Sequence, residues 1–287
     1  MTKYLKALRP EQWIKSGFCL AALFFSGGAF SGEEWLQVVP IVVAFSIVAS
    51  AGYVMNDLLN RKEDRAHPRK KDRMIASGKV PASHAVGLVL LCLALAFGIS
   101  TLSYRLSWTT GCLGAYLGVN LVYTLVLRKV PIFDVASISL GFVLRVAAGA
   151  FALGLFPSEW LMVITYLLAL LLGLGKRAGE LVNLQVKGVD VGATRSCLIW
   201  YQKVGLPYLI WGLVGLLTLT YGIYCYKVQG SSPVFGVTCF PVAVALCSYA
   251  WDATNSAVTE RPEKMVLNRP IIGICLIAWV IMVVSFI

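Results

Sequence analysis

At 287 residues, with 58% hydrophobic and only 14% charged residues, the chain is far from the balance of a soluble protein, and its apolar runs leave no room for a separate soluble domain. Its net charge of +11 does not point to nucleic acid, because the basic residues follow the breaks between apolar runs and are not spread over patches interleaved with aromatics. No nucleic-acid partner is expected, and the composition assigns the chain to a bilayer.

The leading segment, Met1 to Pro10, carries Lys3, Lys6 and Arg9. No small-residue cleavage pattern follows it, so the first apolar stretch reads as a retained span and not as a signal peptide. A spanning helix needs about 20 largely apolar residues. Runs of that kind predict helices near 14–31, 35–56, 84–104, 108–127, 132–156, 159–175, 204–226, 233–250 and 270–287. The expected fold class is therefore an all-α membrane protein of nine transmembrane helices, forming one integral-membrane domain over residues 1–287. The eight cysteines are scattered through apolar runs without a C-x-x-C pair and read as packing residues.

Lys and Arg set the orientation. With a cytoplasmic N-terminus, 22 of the 25 fall on the cytoplasmic side, Arg105 and Lys227 fall outside, and Arg145 lies within a span. The outer connections, Tyr104 to Ser107, Phe156 to Trp160 and Lys227 to Pro233, are too short to build a site. The stretches 57–83, 176–203 and 251–269 are long, so chemistry on a water-soluble molecule belongs on the cytoplasmic side.

The second span ends in Gly52-Tyr53-Val54-Met55-Asn56-Asp57-Leu58-Leu59-Asn60-Arg61-Lys62-Glu63-Asp64. A helix continued through it brings Asn56, Asn60 and Asp64 to one face at i, i+4 and i+8, with Asp57 seven residues before Asp64. Hard oxygen donors at a membrane lip suit Mg²⁺, which takes one or two carboxylates and completes its shell with water and phosphate. The competing reading is a solvated helix end, which fits Glu63 and Asp72 better than Asn56 and Asp57. In the basic stretch that follows, Arg69 and Lys70 suit anionic membrane lipid headgroups. Arg73, before a small-residue turn, is placed to meet a phosphate, and His67 before a proline reads as a turn residue more than as a base.

The segment Asn56-Asp57-x-x-Asn60-x-x-x-Asp64 resembles the first Asp-rich motif, N-D-x-x-D-x-x-x-D, of the UbiA superfamily of intramembrane prenyltransferases. That resemblance implies nine transmembrane helices and an Mg²⁺-diphosphate site with Asn56, Asp57 and Asp64 as metal ligands. Asn60 stands where the family pattern has Asp. Members that move a prenyl group carry a second acidic motif after the sixth helix, and here that place reads Gly173-Leu174-Gly175-Lys176-Arg177-Ala178-Gly179-Glu180. Two cations replace one carboxylate. Together with Arg9-Pro10-x-Gln12-Trp13-Ile14-Lys15, the stretch Phe133-Asp134 to Arg145, and Arg261-Pro262-Glu263, this resembles the decaprenyl-phosphate phosphoribosyltransferase branch.

The resemblance implies a glycosyltransferase that moves a 5-phosphoribosyl group from phosphoribosyl diphosphate to a polyprenyl phosphate, in the synthesis of cell-wall arabinan precursors at the inner membrane. The branch's substrates carry more phosphates than one metal can neutralise, which accounts for cations in the second motif. The catalytic set implied is Asp57, Asp64, Lys176, Arg177 and Glu180, with Lys176 and Arg177 anchoring phosphate and Glu180 binding ribose hydroxyls or supporting the cations. Lys15 reads either as a phosphate contact or as a snorkelling side chain. Asp134 and Arg145, both candidates for binding substrate, lie three turns apart on nearly one helix face, and Arg145 is either a substrate contact or the partner of a carboxylate. Tyr123 and Tyr249 sit where interface anchors are common, and Asp252 is a ribose or metal candidate. Small residues from Gly141 to Gly154 permit close helix packing, inside the bundle or in a homo-oligomer. A prenyltransferase using a prenyl diphosphate is the nearest alternative. A transporter is disfavoured because the outer connections are tiny and, away from the span ends, the one charged residue within a span, Arg145, sits in the fifth.

Overall fold

In a computed structural model, the described residues are 2–25, 32–66, 70–186, 188, 191, 196–228, 236–256, 259 and 269–286. Helix is the only regular secondary structure among them, with no strand. The helices are α1 (Thr2–Leu8), α2 (Ala21–Phe25), α3 (Gly32–Leu59), α4 (Arg61–Ala66), α5 (Ala82–Tyr104), α6 (Trp108–Leu125), α7 (Phe133–Ala152), α8 (Glu159–Val186), α9 (Ser196–Val204), α10 (Leu206–Val228), α11 (Cys239–Asn255) and α12 (Pro270–Phe286). A tightly wound 3-10 segment, Pro10–Leu20, joins α1 to α2. Among the described residues, α3, α5, α7, α8 and α10 are each long and apolar enough to cross a membrane, and α12 is a shorter apolar helix. The protein is a multi-pass membrane protein.

Boundaries differ from the sequence reading where charge continues a helix. The sixth apolar run was expected to end at 175, yet α8 continues to Val186, because hydropathy marks where the apolar stretch stops and not where backbone hydrogen bonding stops. The supposed loops 57–83 and 176–203 also contain α4, the end of α8 and α9. The first expected span is helical from Pro10, but its first turns have 3-10 winding. His67, Arg69 and Arg261-Pro262-Glu263 lie outside the described residues.

The chain forms two compact units, Met1–Leu125 with Leu140–Ser158, and Val126–Ser139 with Glu159–Ile287. Helix α7 gives its start to the second unit and the remainder to the first. The first unit packs around Leu23, Val38, Ile41, Phe45, Val48 and Leu113. Pro40 interrupts α3, and the Tyr104 hydroxyl enters the ladder there, donating to the Gln37 carbonyl and accepting from the Ile41 amide at 3.1 Å. A side chain inserted beside a helical proline satisfies backbone groups that the ring leaves without helical partners. The second unit packs around Leu171, Leu198, Tyr201, Ile210 and Ala250.

The small residues of α7 serve internal packing in the first unit. A Cβ on Gly149 would overlap the Cys19 carbonyl of the 3-10 segment, and one on Gly141 would sit 3.2 Å from the Tyr116 ring. Since the obstacle at Gly149 is backbone, it cannot swing aside. Gly149→Ala is expected to cost about 1–3 kcal/mol through overpacking, read as a lower apparent Tm of the detergent-solubilised protein. An unchanged Tm would show that the two backbones have room to part.

Candidate active site

Three segments of the first unit converge on the end of α3. Helical pairing carries across the break at Asn60, whose amide donates to the Asn56 carbonyl (3.1 Å) while its own carbonyl accepts from the Asp64 amide (2.9 Å). Ser50, Asp57 and Asp64 therefore recur at seven-residue steps along one face. Ser50 holds the entry segment in place: the Trp13 indole donates to its Oγ (2.9 Å), and that Oγ donates to the Leu8 carbonyl (2.8 Å). Between these anchors Arg9 takes a left-handed conformation with φ 53° immediately before Pro10. Proline disfavours even the ordinary helical region for the residue before it, so a left-handed arginine there is a strained backbone held by its surroundings.

The guanidinium of Arg9 reaches Asp57, with Nη2 donating to both carboxylate oxygens at 2.8 Å, and it lies 5.3 Å from the Tyr53 ring centre. On the other side, the turn carrying Arg73 is anchored by Ile75 and Val80, buried in a small core with Ala7, Val54 and Ala85. Arg65 Nε donates to the Ala76 carbonyl, and Gly78 takes the left-handed φ of 78° that closes the turn. Arg73 Nη1 then bridges the two carboxylates, 2.9 Å from Asp57 Oδ1 and 2.8 Å from Asp64 Oδ2. Asp57 and Asp64 are buried, their side chains only 6% and 5% exposed. Arg73 was expected to face a phosphate; it faces the two carboxylates. Asn60 turns its side-chain nitrogen onto the Asn56 carbonyl (2.7 Å) and Asn56 Oδ1 (2.9 Å), so its amide oxygen is the only side-chain donor atom it has left for a cation. Lys15 is half-buried in the 3-10 segment, and Tyr123 is half-buried in the last turn of α6.

Arg145 belongs to the first unit and is 4% exposed. Its Nη1 donates to the Gly141 carbonyl and its Nη2 to the Tyr116 hydroxyl, each at 2.8 Å. The rings of Tyr116, Phe142 and Phe45 surround the guanidinium at 4.4, 5.5 and 5.7 Å. The sequence offered a substrate or a carboxylate as its partner. Among the described residues it has no carboxylate partner, and aromatic faces offset its charge instead.

In the second unit the polar cluster centres on Asp134, which is 0% exposed. Arg177 Nε donates to Asp134 Oδ2 (2.8 Å), Tyr201 donates to Oδ1 (2.6 Å), and Arg177 Nη1 reaches Glu180 Oε2 (3.0 Å). The Tyr201 oxygen also accepts from the Ile132 amide (2.8 Å), where Ile132 holds φ 66°, a conformation that β-branched residues rarely adopt. Burial, and after it the bond to Asp134, push the Tyr201 phenol up, so it remains the donor. Asp134 was expected to bind substrate. Both its oxygens are instead engaged by protein, and it fixes Arg177.

The glycines of this segment have steric reasons. A Cβ on Gly173 would overlap Val135, and one on Gly175 would overlap the Tyr249 hydroxyl, which donates to the Leu172 carbonyl at 3.2 Å. Tyr249 is therefore buried against α8 and is not the interface anchor its position suggested. Lys176 is exposed. Asp252 is buried and accepts from Arg269 Nη2 at 2.7 Å.

Tyr201 and Ser50 escaped the sequence reading. The signal for Tyr201 was present in Ser196–Val204, where Cys197, Leu198 and Tyr201 share a helix face and are buried. Ser50 had none, because a serine in an apolar helix most often bonds only its own backbone.

A sequence model of the UbiA prenyltransferase family matches residues 16–272. The chain belongs to the UbiA prenyltransferase family. Within that family it is similar to a decaprenyl-phosphate phosphoribosyltransferase of Corynebacterium glutamicum, 28% identical over 287 residues, covering 98% of this chain and 85% of the relative. It is likewise similar to the protein of that name from Mycobacterium tuberculosis, 30% identical and covering 96% and 91% of the two chains. The fold matches that of a UbiA homologue from Archaeoglobus fulgidus bound to GPP and Mg²⁺, with a TM-score of 0.74, 15% identity and 99% of both chains covered. Like its family, the protein is a transferase.

Proposed function

We propose that this protein transfers the 5-phosphoribosyl group of phosphoribosyl diphosphate to a polyprenyl phosphate of the decaprenyl type, with Mg²⁺. The observation that carries this reading is similarity along the whole chain to phosphoribosyltransferases of that name, combined with Lys176-Arg177-x-x-Glu180 where a prenyl-transferring member has a second acidic motif. The rest of the proposal is a nine-span transferase domain in the inner membrane, with the N-terminus and the site on the cytoplasmic side, as the positive-inside bias requires. Its product would be a precursor of cell-wall arabinan.

The donor set suits the metal. Asp57 and Asp64 already converge on one cationic point, the Arg73 nitrogen, at 2.9 and 2.8 Å. Two carboxylates with the Asn56 amide oxygen leave the remaining positions to water and phosphate, as Mg²⁺ prefers. When bound, Mg²⁺ offsets the charge that grows on the departing diphosphate. The chain's own residues do the rest. In the reaction the bond from ribose C1 to the diphosphate oxygen breaks, the diphosphate leaving with the electron pair, while an oxygen of the lipid phosphate bonds to C1. That oxygen is already anionic, so no protein base or nucleophile is needed. Exposed Lys176 is assigned to a substrate phosphate. Arg177 is assigned a fixed field beside it, held by Asp134 and Glu180.

The test incubates purified protein with radiolabelled phosphoribosyl diphosphate, decaprenyl phosphate and Mg²⁺, then extracts the lipid. Label is expected in the organic phase, and none when EDTA is present. If geranyl diphosphate served as donor and phosphoribosyl diphosphate did not, the protein would be a prenyltransferase instead.

A further inference from the structure

We infer that Arg9 and Arg73 are exchangeable counter-cations of the Asp57–Asp64 pair, so that the metal and the donor's diphosphate bind as one unit and neither binds well alone. The inference rests on the function proposed above and concerns how that site is loaded.

Two carboxylates this deeply buried require partners. Both are satisfied by guanidinium nitrogens at 2.8–2.9 Å, so the cluster of two carboxylates and two guanidiniums is neutral. A dication entering alone must displace Arg73 from the point where the carboxylates converge. It then leaves one or both guanidiniums facing a metal without an anion between them, and like charges oppose its binding. A diphosphate entering alone meets the carboxylates, with the same result in the opposite sign. When both enter together, the carboxylates take the metal and the guanidiniums take the diphosphate oxygens, whose geometry suits arginine's fork of donors.

The architecture permits the exchange. The Arg9 and Arg73 side chains are 24% and 26% exposed, against 6% and 5% for the carboxylates they hold. Each arginine sits on a segment pinned by other contacts, Arg9 by Ser50 and Trp13, and Arg73 by Ile75, Val80 and the Arg65 bond to Ala76. The guanidiniums can therefore turn through side-chain rotation alone, without moving the backbone that aims them. The consequence is a thermodynamic coupling between metal and donor, reciprocal by necessity.

Mn²⁺ binding, followed by loss of the free-ion electron paramagnetic resonance signal with no phosphate present, tests this directly. Wild type is expected to bind weakly, and Arg73→Gln to bind on the order of tenfold or more tighter, a typical size for such coupling. Arg9→Gln, on a separate segment, is expected to shift in the same direction and guards against misfolding of the first variant. In parallel, retention of radiolabelled inorganic diphosphate by wild type is expected to rise on adding Mn²⁺, and to stay low in both variants with or without it. Equal Mn²⁺ affinity in wild type and both variants, with binding abolished by Asp57→Asn plus Asp64→Asn, would overturn the exchange and leave the metal site intact. Absence of Mn²⁺ binding in every protein, with or without diphosphate, would overturn both.

Discussion

Asp57→Asn is expected to lower phosphoribosyl transfer by about 10²–10³-fold or more, the usual cost of removing a group that stabilises developing charge. The change is isosteric, and the partners it weakens are each about a quarter exposed, so water can replace the lost contacts and the fold should persist. Arg73 also keeps Asp64 at 2.8 Å. The loss should therefore fall on metal affinity and kcat, and excess Mg²⁺ should restore part of the rate. Asp64→Asn should behave alike. Glu63, on the exposed side of α4, provides the control, and Glu63→Gln should leave the rate unchanged. A wild-type rate for Asp57→Asn at limiting Mg²⁺ would remove this carboxylate from the metal set.

That cluster shows what a sequence can convey. Asn56, Asp57, Asn60 and Asp64 were legible because helical spacing alone puts oxygen donors on one face at the lip of an apolar run, and the structure continues the helical pairing through them. What filled the space between the carboxylates was not legible. Arg9 and Arg73 come from segments 48 and 16 residues away from Asp57, and nothing local says that they meet it. Apolar runs predicted where the long helices lie, but not that α8 would carry Lys176, Arg177 and Glu180 as regular helix, since charge ends an apolar run without ending a helix. Arg145 was recognised as an unusual cation in a span. Its aromatic surround was hidden because Phe45, Tyr116 and Phe142 are individually indistinguishable from packing residues.

Asp134 carries the second large expected effect, and here the prediction concerns stability before activity. Its carboxylate is fully buried and engages Arg177, itself 4% exposed, and Tyr201. Asp134→Ala removes one of the carboxylates that hold this buried guanidinium, with Glu180 remaining, and frees the turn at Ile132, whose left-handed backbone Tyr201 helps to hold. Breaking a buried pair from one side costs about 3–5 kcal/mol, so the detergent-solubilised variant should unfold at a much lower temperature or fail to accumulate. Tyr201→Phe removes one hydroxyl bound to that carboxylate and should cost less, about 1.5–3 kcal/mol. Removing both ions behaves differently from removing one, because replacing a buried pair with apolar groups of similar size is often neutral. Asp134→Leu combined with Arg177→Met should therefore recover most of the stability lost in Asp134→Ala. If Arg177 supplies the fixed positive field proposed beside Lys176, that stable double variant should still transfer poorly. Recovery of both stability and rate would mean that the pair serves the fold alone, and that Lys176 acts without a second cation.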